Sequence, residues 1–344
     1  MKDTVLDNSL FAPLAPPQVR YIGIPRCDLV HSRHVLLNRF PWVVDVEDVT
    51  AFAWYRRKVL GKRWARRLLE WVFSSPYCRM ILPWTNAARS SLENMIDCSA
   101  FRGKIRIVYP AIAPVGFARK AKSDKRVVRF LFIGSGLGFY AKGGMETLLA
   151  FDRLCRQYEN ASLTMVAYVP ASVRERFAGN PKITFLQAVP TGRLRQEFEG
   201  ADVFILPTHM DTFGFVYLEA FARGIPCIGT AQFSVPEIIT DGVTGLLVKP
   251  DHSYFGPDFL PAYDTPIDYA GHPLFEGLRN PSQSYVGSLT EKMTLLLENV
   301  NMRLAMSEAA YEEVISGKFS VGRRRKVLGE LYEQCLVDPV RDMR

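Results

Sequence analysis

Two carboxylates bracket a glycine in residues 201–229, ADVFILPTHMDTFGFVYLEAFARGIPCIG. A buried strand is expected to end at Pro207, followed by a polar loop, Thr208 to Asp211, and Gly214 then permits a tight turn into a helix beginning near Phe215. The C-terminal edge of a parallel sheet is where such folds take their ligands. A helix that starts there directs unpaired N–H groups and the positive end of its dipole at the ligand, which suits a phosphate or diphosphate. Asp211 lies in the loop before that point and Glu219 about one turn beyond it. Carboxylates are poor phosphate ligands, so the chemistry open to this pair is accepting hydrogen bonds from sugar hydroxyls on either side of a diphosphate, as a nucleotide sugar would offer. The competing reading is a helix-capping aspartate and an incidental exposed glutamate. His209 has no second histidine at ligand spacing and reads as a loop histidine with a structural hydrogen bond, a contact to the sugar being the alternative; no metal role is expected.

A second constellation is basic. Residues 54–71, WYRRKVLGKRWARRLLEW, hold seven Lys or Arg between positions 56 and 67, interleaved with Trp and Leu. A basic amphipathic segment with aromatics on one side binds anionic headgroups. Nucleic acid is the rival, but no groove-reading motif accompanies the segment and none is expected to bind. The plainer alternative is a solvated helix face packed on its domain by its Trp and Leu residues.

The elements that must position these residues follow from periodicity. From residue 127 onward, apolar runs of strand length (127–133, 163–169, 183–186, 203–206 and 225–229) alternate with segments of helical spacing such as 145–158 and 216–222. That alternation predicts a parallel sheet with helices on both faces, a Rossmann-like domain over about 125–320. The last helices are read at 289–300, 302–315 and 323–335. Candidate strands at 19–24, 42–46, 79–82 and 105–108 predict a second, smaller α/β domain over 1–115, which the terminal helix, 321–344, is taken to join. Residues 110–124 read as a hinge, which predicts a cleft between the two domains, and 250–285, rich in Pro, Gly, Tyr and Asp, as a long surface insertion.

Composition narrows the class. At 344 residues, 48% hydrophobic and 23% charged, the chain has the size and balance of a two-domain soluble enzyme. No apolar run reaches the roughly 20 residues of a membrane span, and the first ten residues carry acids and no apolar block, which predicts a cytoplasmic protein. Cysteines 27, 78, 98, 155, 227 and 335 show no paired spacing and read as reduced thiols. The net charge of +8 favours an anionic partner.

The stretch from Asp211 to Pro226 resembles the E-x7-E region of family 4 retaining glycosyltransferases with the GT-B fold, and Val235 to Val248 is similar to the block that closes their donor site. The resemblance implies two Rossmann-like domains facing a cleft, the N-terminal one reduced. It implies that Glu219 binds the ribose hydroxyls, that Asp211, shorter than the usual Glu, contacts the transferred sugar, and that the amides of Phe213, Gly214 and Phe215 receive the donor. FIGSGLGFYAKGG, residues 132–144, resembles the family's first donor-domain strand and glycine-rich loop, which implies donor contacts from Gly134, Ser135 and Gly136 and places Lys142 on the leaving diphosphate. The family's companion Arg does not appear in this loop, so Lys142 is expected to act with loop amides or with an Arg from elsewhere. On the acceptor side His31 and the acids Glu47 and Asp48, standing where the family often has a His, are candidates to orient or deprotonate an acceptor hydroxyl; surface acids at a strand end are the alternative.

The expected function is metal-independent, retaining transfer of a sugar from a nucleotide diphosphate sugar to a hydroxyl acceptor, lipid-linked or a cell-surface glycan precursor. No cofactor beyond that co-substrate is implied. The basic segment would place the protein at the inner membrane face. The rival is a non-catalytic relative that binds a nucleotide sugar or tethers another enzyme.

Overall fold

The computed structural model describes residues 19–20, 27–117, 127–134, 138–264 and 273–337. They divide into two units, one holding the residues up to 109 with 255–264 and 326–337, the other holding 110–254 and 273–325.

Among its described residues the first unit contains the short strands β1 (Val19–Arg20), β2 (Val30–Ser32), β3 (Val35–Leu36), β4 (Trp42–Val46) and β5 (Cys78–Pro83), and the helices α1 (Arg57–Leu60), α2 (Arg63–Ser74) and α3 (Asn86–Met95). Strands β2, β4 and β5 form a three-stranded parallel sheet and β1 pairs with β3. Helix α2 buries Ala65, Leu69, Val72 and Phe73, the spacing of a single helical face, in a core with Trp42, Val44, Phe52 and Phe101. Helix α3 begins at Thr85, whose hydroxyl accepts from the Ala88 amide at 3.0 Å.

The second unit alternates strand and helix: β6 (Val128–Ile133), α4 (Gly144–Cys155), β7 (Ala161–Val166), α5 (Ala171–Phe177), β8 (Ile183–Leu186), α6 (Thr191–Gly200), β9 (Val203–Leu206), α7 (Phe215–Phe221), β10 (Cys227–Thr230), α8 (Val235–Ile238) and β11 (Gly245–Val248). Helices α9 (Pro273–Arg279), α10 (Gln283–Glu298) and α11 (Val300–Ile315) follow. The six strands pair in parallel in the order β11-β10-β9-β6-β7-β8. From β6 the chain winds outward through β7 and β8, then returns to β9 on the other side of β6 and winds outward again. The order therefore reverses between β6 and β9, the switch point at whose carboxyl edge doubly wound sheets open a ligand crevice. Strands β9 and β10 are buried along their whole length, which is why β9 reads as an unbroken apolar run.

Helix α12 (Val321–Val337) starts in the second unit, and from residue 326 it belongs to the first, where Leu331 and Cys335 pack with Val43, Leu82 and Val108. Arg79 donates to the Cys335 carbonyl at 3.0 and 3.2 Å.

Residues 255–264 are not a surface insertion. Leu260 is buried in the first unit's core, Arg57 donates to the Pro261 carbonyl at 2.9 Å, and Asn94 donates to the Asp258 carbonyl at 2.9 Å. Phe255 and Leu260 are both buried, but their spacing in an irregular stretch gives no helical or strand period to read. Nor is 105–108 a regular strand: Ile105 forms a single bridge with Ile81. Of the run read at 19–24, only Val19–Arg20 falls within the described residues.

Candidate functional site

The loops leaving the switch-point strands supply the charged groups. After β6 the chain passes Gly134 and returns at Gly138 to a tight turn, in which the Lys142, Gly143 and Gly144 amides donate to the Gly138, Tyr140 and Phe139 carbonyls at 2.8–3.0 Å. Gly143 takes φ +78, and a Cβ there would lie 2.3 Å from the Pro207 carbonyl oxygen, so only glycine lets this turn sit against the end of β9. The loops are stitched together by the His209 amide and the Thr208 hydroxyl, which both donate to the Ala141 carbonyl, at 2.9 and 3.3 Å.

Across that seam Lys142 Nζ meets Asp211 Oδ2 at 2.6 Å and donates to the Met210 carbonyl at 3.2 Å. One cation and one anion thus bridge the point where the strand order reverses.

Behind the pair lies a buried dyad. His209 Nε2 bonds Glu146 Oε1 at 2.8 Å in the first turn of α4, and Nδ1 bonds the His252 carbonyl at 2.7 Å. Burial alone would lower the His209 pKa, but the Glu146 carboxylate, helped by the His252 carbonyl, raises it above the ordinary value. Both side chains are fully enclosed, so His209 ties the Asp211 loop to α4 and is shut off from any ligand.

Gly214 caps α7 with φ +88, and a Cβ there would stand 2.7 Å from the ring of Tyr217. That ring is buried, and its hydroxyl donates to the Leu206 carbonyl at 2.5 Å. Phe215 is exposed and Glu219 half-buried, and their i, i+4 spacing puts them on one helix face. Burial raises the Glu219 pKa above the usual carboxylate value, with Arg223 partly opposing. The Ser234 hydroxyl donates to the Thr212 carbonyl at 2.7 Å and pins the Asp211 loop to the segment after β10.

That segment holds residues the sequence reading passed over. Neither the oxygen nor the nitrogen of the buried Gln232 amide has a hydrogen-bond partner, and the next residue, Phe233, takes φ +45, unusual for a bulky side chain. The signal available in the sequence was a Gln two residues after the end of β10. On the far side of the glycine loop, the Arg279 guanidinium lies 5.8 Å from the ring centre of Tyr140. Among the described residues no group of three or more His, Cys, Asp or Glu is arranged to hold a metal ion.

Residues 127–255 match the family described as Glycosyl transferases group 1. The match takes in both switch-point loops, α7 and the segment with Gln232. A D-inositol 3-phosphate glycosyltransferase of Mycobacterium marinum is 30% identical over 152 residues, 42% of this chain and 28% of that protein. The matched stretches span less than half the length of the curated relatives. Among solved structures, sucrose-phosphate synthase from Thermosynechococcus elongatus superposes with a TM-score of 0.61 at 15% identity, covering 90% of this chain and 74% of that one. Anabaena Alr3699/HepE in complex with UDP-glucose gives 0.58 at 14%, covering 89% and 79%. The fold is therefore GT-B, with a three-stranded sheet in the smaller first unit and six strands in the second. Residues 127–255 are similar to glycosyltransferases of this group.

Against that family the expected residues fall out as follows. Lys142, Asp211, Phe213, Gly214, Phe215 and Glu219 come from two adjoining loops and the helix between them and β10, and Gly134 closes β6, its amide donating to the Val166 carbonyl at 3.0 Å. Ser135 and Gly136 lie outside the described residues. In the first unit His31 bonds the Tyr332 hydroxyl at 2.5 Å through Nδ1 and reaches Asp45 at 3.2 Å through Nε2. Glu47 accepts from the Tyr55 hydroxyl. Asp48 corrects the acceptor-side expectation: its side chain is fully buried and caps the 3-10 turn Val49–Ala53, accepting from the Thr50 amide at 2.6 Å. With one oxygen engaged by Thr50, the other without a partner and the whole side chain enclosed in the core, this carboxylate is not open to an acceptor.

Proposed function

We propose that this chain is a retaining, metal-independent glycosyltransferase that moves a sugar from a nucleotide diphosphate sugar to a hydroxyl acceptor. The observation that carries this reading is the Lys142–Asp211 pair bridging the switch point inside the segment that matches the glycosyltransferase family. In this reading the second unit is the donor domain. Lys142 receives the diphosphate, Asp211 the transferred sugar and Glu219 the ribose hydroxyls, with Gly134 lining the phosphate side and the Phe213–Phe215 backbone closing the turn; Ser135 and Gly136 stay donor candidates from the sequence alone. Three amides of the glycine loop are already engaged. The second cation is then Arg279, which stands over Tyr140 of that loop.

The chemistry asked of these groups is electrostatic. The bond from the anomeric carbon to the diphosphate oxygen breaks, negative charge collects on the leaving group, and Lys142 stabilises it in a partly enclosed site. The acceptor oxygen attacks from the face the diphosphate leaves, and its proton passes to the departing phosphate oxygen, which preserves the anomeric configuration. Glu47 and His31, hydrogen-bonded to Tyr55 and to Tyr332 and Asp45, are the remaining candidates to orient the acceptor hydroxyl.

The test is release of nucleoside diphosphate from a panel of nucleotide sugars by the full chain, with and without simple sugar and lipid-linked acceptors. Turnover of one donor, lost in Glu219→Ala with the thermal midpoint retained, is the expected result. Tight binding with no release of diphosphate from any donor and any acceptor would instead identify a non-catalytic nucleotide-sugar binder.

A further inference from the structure

The chain has five tryptophans, and they sort sharply. Trp42 and Trp84 are buried, whereas Trp54, Trp64 and Trp71 stand 46%, 46% and 67% exposed, all within the basic segment. Tryptophan is a poor residue to leave in water and a favoured one where an apolar ring meets headgroups. Helix α2 explains why the segment cannot be read as an ordinary solvated face. Its inward stripe of Ala65, Leu69, Val72 and Phe73 already supplies the core contact, and Trp64, Arg67 and Trp71, at i, i+3 and i+7, form a second stripe pointing the other way. Just before it, Trp54 and Tyr55 take φ +59 and +56 in succession, a strained arrangement that leaves both rings exposed.

The charge on this surface is one-sided. Lys58, Arg63 and Arg67 are exposed, while Arg57 is engaged by Asp258 and the Pro261 carbonyl. Asp264 lies 3.9 Å from Lys58, and Glu70, the sole acid between 54 and 71, accepts from the Asp97 amide. No described helix is long and apolar enough to cross a membrane, so any attachment through this face is peripheral.

We propose that the surface carrying Trp54, Trp64, Arg67 and Trp71 docks this protein on an anionic lipid bilayer, the rings entering the headgroup layer and the cations pairing with phosphate. This requires nothing of the transfer reaction, so its failure would leave the reading of the donor site untouched. If both hold, the acceptor hydroxyl belongs to a lipid-linked molecule presented at that surface.

The test is co-sedimentation of the full chain with phosphatidylcholine vesicles, with and without about a third of the lipid replaced by phosphatidylglycerol. Binding is expected to the anionic vesicles, to fall with added salt, and to weaken roughly tenfold in W64A/W71A and about fivefold in R67A. These exposed substitutions should leave the thermal midpoint in place. Absence of binding to anionic vesicles at low salt, equal binding to neutral ones, or undiminished binding of W64A/W71A would overturn the proposal. So would a dimer in solution that the double variant abolishes, since the rings would then be covered by a second copy of the chain.

Discussion

The Lys142–Asp211 pair makes a prediction in which two substitutions of one ion pair act in opposite directions. Without donor, Lys142 is held by Asp211 at 2.6 Å and by the Met210 carbonyl at 3.2 Å. The two side chains retain 21% and 15% of their exposure, so the pair is partly screened rather than dry. A diphosphate arriving about 4 Å from Nζ gains roughly 4 kcal/mol at an effective dielectric near 20, part of which the existing pair gives back. Taking about half as net, Lys142→Ala should weaken nucleoside diphosphate binding by about 2 kcal/mol, roughly thirtyfold. Asp211 adds a negative charge to the same neighbourhood. Asp211→Asn removes that repulsion and frees Lys142, and it should tighten nucleoside diphosphate binding by about 0.5–1 kcal/mol, two- to fivefold, while abolishing sugar transfer. Calorimetric titration of both variants with UDP, GDP and ADP reads the effect directly. If Asp211→Asn weakens binding as Lys142→Ala does, the pair is scaffolding and the assignment of Lys142 to the diphosphate is refuted.

Two further outcomes follow from buried groups. Burial holds the Asp48 carboxyl up to about 6, against 3.8 for a free side chain, so the folded chain retains a proton that the unfolded chain has released across that interval. This contribution to stability is full below about pH 4 and is lost as pH rises through 6, about 3 kcal/mol in all. Asp48→Asn keeps the cap without the charge, so in urea titrations its stability relative to wild type should rise between pH 4.5 and 7; a constant difference would contradict the assignment. Gly214→Ala puts a Cβ against the buried Tyr217 ring at φ +88 and should cost about 2–4 kcal/mol. Followed by circular dichroism, the second unit's midpoint should drop by roughly 4–15 °C, and an unchanged midpoint would show that the turn relaxes freely.

Much of the second unit was legible because its central strands are buried on both faces. Val203–Leu206 is an unbroken apolar run and folds with those bounds, whereas the edge strand Ile183–Leu186, with Thr184 exposed, keeps its bounds but not full burial. Gly214 and Gly143 were readable as turns; the close approaches behind them, to Tyr217 and to Pro207, depend on tertiary packing. The first unit was harder. Strands of two or three residues, such as Val35–Leu36, are too short to show a period. Glu47 and Asp48 are adjacent acids of similar chemistry, and only the fold decides that one faces Tyr55 while the other is swallowed as a cap. In the basic segment Trp and Leu stand interleaved, and only the fold separates them, with Leu69 inside and Trp71 exposed on the other face of α2. Gln232 escaped notice because an unsatisfied amide becomes visible only once its neighbours are in place.

The central claim, that a nucleotide sugar binds where the loops after β6 and β9 meet, is tested most directly by hydrogen–deuterium exchange of the full chain with and without the nucleotide sugar that most raises its thermal midpoint. Protection should concentrate in peptides covering 138–144, 208–219 and 230–235. Protection confined to other segments, or no change with any nucleotide sugar, would contradict it.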